Sequence, residues 1–174
     1  MKSVDGSSPG SGETSGSSPW PATVRRMVGM GRLREQEFDA RSVEALWKKA
    51  VQSAEDAELP GISLDGGLRS AYDAGYLACL ALLASHGLRT ASGPGHHEMA
   101  FAAAAAFGRD VLPDLLPDSE EIRLLRTGSM YDPELADALD LDRALEWVRG
   151  TLPLIRRVLL DVFPAIDGTL EEYP

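Results

Sequence analysis

The strongest constraint on the fold is a run of apolar side chains near the C-terminus, Leu141, Leu145, Val148, Leu152, Ile155, Leu159 and Val162, whose spacings alternate between four and three. A seven-residue repeat of this kind places every member on one stripe of an α-helix, and water must be kept off that stripe by other helices or by a second copy of the chain. Bundle packing and a dimer seam both satisfy the pattern. Gly150 and Pro153 interrupt it, and Pro153 should bend the helix rather than end it.

The same period recurs upstream. Ser42 is the expected cap of a helix whose apolar positions are Val43, Leu46, Trp47, Ala50, Ala54 and Ala57, stopped by Pro60-Gly61. A central helix opens at Asp65-Gly66-Gly67, carries Leu68, Tyr72, Tyr76, Cys79, Leu80 and Leu83 inward, and ends at Ser85-His86-Gly87. Within it, Gly75 would let a neighbouring helix approach closely. A Ser-Gly-Pro-Gly loop precedes a third helix, which begins near His96 or His97 and stops at Gly108. Asp118 is the expected cap of a fourth, with Glu121 three residues on and Ile122 and Leu125 facing the core. Nothing reads as a convincing strand. The expected fold class is all-α, an up-and-down bundle of four to five helices.

Composition supports that class and narrows the function. Of 174 residues, 44% are hydrophobic, enough to bury a core, whereas aromatics make up 6%, which disfavours a sandwich or barrel. Residues 1–22 form a Ser/Gly/Pro-rich tail too poor in apolar surface to offset the entropy of ordering, and the tail is expected to be disordered. Residues 23–41 are a basic lead-in with Arg25, Arg26, Arg32 and Arg34, read either as a helix laid on the bundle or as a docking arm; residues 42–174 form the bundle. The formal net charge of -10 argues against coating nucleic acid through bulk electrostatics, while leaving room for a local basic cleft. A single cysteine, Cys79, lies among leucines as a small buried apolar group and suits a reducing cytoplasm. No apolar run is long enough to span a membrane and no secretory leader is evident, so a cytoplasmic protein without membrane association is expected.

Few residues carry chemistry. His96-His97-Glu98 invites a metal reading, but adjacent helical residues point about 100° apart and no second His or Cys pair stands at a ligand spacing, so neither a metal nor any other cofactor is expected. No phosphate loop and no serine or cysteine nucleophile is recognisable. Arg69, Arg89, Arg123 and Arg126 could bind RNA phosphates, with Tyr72 or Tyr76 offering a ring for stacking, or could balance surface carboxylates.

Four pieces of the chain, taken in order, carry a family likeness. They are Ala71-Tyr72-Asp73-Ala74-Gly75-Tyr76, the stretch Ala81 to Arg89 with its Leu82-Leu83 and Gly87 turn, Gly95-His96-His97, and Leu125-Arg126 followed by Tyr131-Asp132. From about Leu68 to Phe163 the chain resembles the HEPN superfamily, the higher-eukaryote and prokaryote nucleotide-binding domains, and most of all its compact actinobacterial-type branch. That resemblance implies a helical bundle, usually a homodimer, often paired with an antitoxin, a nucleotidyltransferase or another defence component. Active members are metal-independent endoribonucleases with an Arg followed four to six residues later by His. Here Arg126 occupies the arginine position and Tyr131 stands where the histidine would fall. A phenol, with a reference pKa of about 10, is a poor base at neutral pH. The expectation is therefore a dimeric RNA-associated or protein-interaction component of a toxin-antitoxin or defence-type locus, weakly active or inactive as a nuclease. The alternatives are a divergent endoribonuclease in which Tyr131, His96 or His97 moves the proton, and a purely structural helical module. For Arg126 and Tyr131 to converge, the helix would have to end or bend at Gly128, because five residues on a straight helix separate them by about 140°.

Overall fold

The computed structural model describes residues 19–131 and 137–168, and within them the chain is an all-α bundle with one short β-ribbon. In chain order the elements are α1 (Ala22–Gly29), β1 (Leu33–Glu35), α2 (Ala40–Ala57), α3 (Leu64–Ser85), β2 (Leu88–Thr90), α4 (His96–Phe107), α5 (Leu115–Tyr131) and α6 (Ala138–Val162), followed by a 3-10 turn at Pro164–Ile166. The central helix is α3, with α2, α4, α5 and α6 all packed against it.

Its composition explains the position. Thirteen of its residues are buried, spread around its circumference rather than along one stripe, as a helix covered on most sides requires. Two glycines set how near α6 comes. A methyl group at Gly67 would meet Leu141 Cδ1 at 2.6 Å, and one at Gly75 would run into the Trp147 indole, so each absent side chain is a notch filled by α6. The middle of the α6 heptad stripe is spent inside the bundle, with Val148, Leu152, Ile155 and Leu159 all at 0% exposure, whereas Val162 at its end is exposed. Of the two ways to satisfy that repeat, bundle packing is the one adopted by these four residues. The helix also passes through Pro153 without ending.

Several local expectations are corrected. Two short strands exist: β1 and β2 pair antiparallel, Leu33 with Thr90, Arg34 with Arg89 and Glu35 with Leu88. Helix α2 is capped by Asp39 rather than Ser42. The Asp39 carboxylate accepts from the amides of Arg41 and Ser42, both at 3.2 Å, and from the Ser42 hydroxyl at 2.6 Å. An anionic acceptor three residues ahead of the serine thus takes the free amides of the first turn, and the serine hydroxyl becomes its donor. Helix α5 starts at Leu115, not at Asp118, because Pro117 is tolerated in a first turn whose amides have no intrahelical partner. The lead-in contributes Val24, Met27 and Leu33 to the main core and thus lies on the bundle as α1 and β1. Six α-helices are found among the described residues, α1 being additional to the four or five expected. None of the helices is long and apolar enough to cross a membrane.

Candidate functional site

One turn of α3 presents Tyr72 and Tyr76 toward the first turn of α4. Helix α4 can begin there because Gly95, at φ 77°, takes the left-handed conformation that turns the loop into the helix. The His96 Nδ1 lies 2.7 Å from the Gly93 carbonyl. A carbonyl only accepts, so Nδ1 carries a proton and donates a hydrogen bond to Gly93. The His97 ring lies nearly parallel to both tyrosines, 3.8 Å from Tyr76 and 5.6 Å from Tyr72, and its Nδ1 is 3.2 Å from the Tyr72 hydroxyl. Phe101, one turn further along α4, closes the bottom of this aromatic stack.

Opposite, α5 supplies the charge. Arg126 sits with its guanidinium carbon 5.1 Å from the centre of the Tyr72 ring, a cation–π arrangement. Arg123, one turn earlier, is gripped on two nitrogens by Glu120 at 2.6 and 2.7 Å. Together these elements enclose a cleft of about 1040 Å³, lined by Tyr72, the Gly93-Pro94-Gly95 loop, His96, His97, Glu98, Leu116, Pro117, Glu120, Arg123, Arg126 and Thr127.

The cleft tunes its own groups. Burial, the neighbouring His96 and the Arg126 charge all depress His97, to about 4, so its imidazole is neutral at physiological pH. Burial raises Tyr72 to about 12 against the opposing pull of Arg126, which keeps the phenol protonated. Tyr76 is raised by burial as well, with a hydrogen bond to Thr90 of β2 pulling back. Glu120 is lowered chiefly by its hydrogen bond to Arg123.

Five residues singled out from the sequence, Tyr72, His96, His97, Arg123 and Arg126, therefore line one cleft. The others lie elsewhere. Arg69 pairs with Asp65 at 3.0 Å on the exposed side of α3. Arg89 is on β2, exposed, beside a separate shallow groove with Leu46 and Leu80. Tyr131 is the last residue of α5, and its side chain, with Asp132 and Pro133, lies outside the described residues. Its backbone position still matters: α5 runs unbroken through Gly128, so positions 126 and 131 are about 140° apart around the axis. The helix does not end at Gly128, one of the two ways in which the two positions could have converged. Glu120 and Glu98 were not anticipated as cleft residues; the three-residue offset between Glu120 and Arg123 was the available signal for the first. Among the described residues, no group of three or more His, Cys, Asp or Glu side chains is placed to hold a metal ion.

The class this defines is an all-α bundle with an aromatic and guanidinium-lined cleft between its third, fourth and fifth helices. Compared with protein-family models, curated proteins and solved structures, the chain matches none of them.

Proposed function

We propose that this protein is a HEPN-like, RNA-associated component that binds a phosphate-bearing strand in the cleft and cleaves it weakly or not at all. The observation that carries this reading is the placement of Arg126 over Tyr72, beside the His97–Tyr76 stack, at the wall of a cavity wide enough for a nucleotide. A guanidinium matches the oxygens of a phosphodiester, and the half-buried His96 and His97 rings in the cleft lining offer surface for an unstacked base, while the buried Tyr72 supports Arg126. Arg123 can join at small cost, since an exposed pair such as Arg123–Glu120 contributes little to stability. Binding is favoured over cleavage because proton transfer works best from a group titrating near the working pH, and His97 lies well below it. The dimer, and a toxin-antitoxin or defence setting with an antitoxin or nucleotidyltransferase partner, come with the resemblance and belong to the same proposal.

A second reading, a metal-independent endoribonuclease, draws on His96. Its ring is held in orientation by the bond from Nδ1 to the Gly93 carbonyl, and it lines the same cleft as Arg126. One experiment separates the two. Purified protein incubated with single-stranded RNA in EDTA should retain the RNA intact yet bind it, with affinity falling as salt rises and dropping about ten- to hundredfold in Arg126→Ala. Cleavage abolished by Arg126→Ala and by His96→Ala would favour the enzyme; absence of binding at low salt would sink both readings.

A further inference from the structure

The β-ribbon carries a feature that bundle packing does not require. Arg34 and Arg89 stand directly opposite one another in its antiparallel register. Their neighbours Leu33 and Leu88 are buried, so the alternation of the strands turns both arginines to the solvent face, where both are exposed. Arg32 immediately precedes β1, and its carbonyl accepts from the Ala91 amide, one step beyond the Leu33–Thr90 pair. The Arg32 guanidinium donates to the Pro94 carbonyl at 3.3 Å, and Pro94 lines the cleft.

Like charges directly opposite each other on a ribbon repel. The chain carries 27 acidic residues against 17 basic ones, yet among the described residues neither Arg34 nor Arg89 forms an ion pair. Ordinary surface balancing would have placed a carboxylate between them. A phosphate oxygen would do the same work, and the guanidinium fork suits it.

The geometry points to the outer face of the ribbon as a second phosphate-binding surface, continuous with the cleft through Arg32, that holds the backbone of an RNA strand whose other segment lies against Arg126. This rests on the cleft being an RNA site. The ribbon lengthens the footprint, so short and long RNAs respond differently to its loss.

The test measures fluorescence-anisotropy titrations of a uridine tetranucleotide and a uridine hexadecanucleotide at several salt concentrations. The proteins are wild type, Arg34→Gln/Arg89→Gln, Arg34→Lys/Arg89→Lys and Arg126→Ala, each shown to fold by circular dichroism. The glutamine pair should leave tetranucleotide affinity unchanged and weaken hexadecanucleotide binding about tenfold. It should also lower the log–log salt slope for the long RNA by about 1.4, two single-strand contacts' worth. The lysine pair should retain most of that slope, and Arg126→Ala should weaken both RNAs. Unchanged affinity and slope in the glutamine pair, with Arg126→Ala still impaired, would overturn the ribbon inference and leave the cleft reading standing. Equal loss of the tetranucleotide in the glutamine pair would also overturn it, since the ribbon would then not be a separate surface. Failure of wild type to bind either RNA would overturn the cleft reading and this extension together.

Discussion

His86 and His97 are two imidazoles that burial holds neutral, each depressed to about 4. Their linkage to folding has a definite sign. The unfolded chain takes up these protons near pH 6.5 while the folded chain resists until about 4, so in that window the unfolded state binds more protons and stability falls with falling pH. Above about 6.5 the full stability is present. His86 adds a further cost: its Nε2 is buried without a hydrogen-bond partner among the described residues, while its ring stacks on Phe107 at 3.6 Å. His86→Phe keeps the stack and removes both the orphan nitrogen and one proton site. Thermal melts should show the variant more stable than wild type, with the advantage larger at pH 5 than at pH 7. At this scale the sequence was informative about residue type and silent about environment. His86, His96 and His97 look alike in one dimension; a stacked neighbour and a carbonyl at 2.7 Å distinguish them only in three.

Helices announced themselves wherever a stripe was long enough to show its period. The stripes of α2, α3 and α6 are legible because spacings of three and four recur over several turns, and Gly75 was legible as a point of close approach because a glycine inside such a stripe otherwise costs stability. The strands were not legible, since Leu33–Glu35 and Leu88–Thr90 are each only three residues long and cannot display alternation. Starts of helices slipped, by three residues at α2 and by four at α5, in each case because a second cap-like residue lies in or just after the true first turn. The glycines permit a paired test. Gly75→Ala gains helix propensity of about 1 kcal/mol but drives a methyl into the buried Trp147 ring, and overpacking typically costs about 1–3 kcal/mol. Gly150→Ala in α6 meets nothing within 4 Å and keeps the propensity gain alone. Urea denaturation should therefore find Gly150→Ala stabilised by about 0.5–1 kcal/mol and Gly75→Ala destabilised.

For the molecule as a whole, the class of fold could be argued from pattern, whereas the cleft could not, because it is assembled across three helices far apart in the chain. Tyr72, His97 and Arg126 share no spacing that marks them as neighbours; α3 brings them together by serving as the common packing surface for α4 and α5. Arg126 meets Tyr72 of α3 and influences His97 of α4, residues 54 and 29 positions away in the chain. The charge distribution carries a related lesson. A net charge of -10 describes the average surface and conceals the pair Arg34 and Arg89, which only the pairing of two strands 55 residues apart brings together.

The notch at Gly75 also gives the protein an optical handle. Trp147 sits in it as one of three tryptophans, so its emission should be blue-shifted while α6 is docked on α3 and move to the red when the helix leaves. With Trp20 and Trp47 changed to phenylalanine, stopped-flow fluorescence of the remaining indole would time the closure of the α3–α6 seam separately from the far-ultraviolet signal of helix formation. A red-shifted emission maximum in the native state would show that the indole is not seated there.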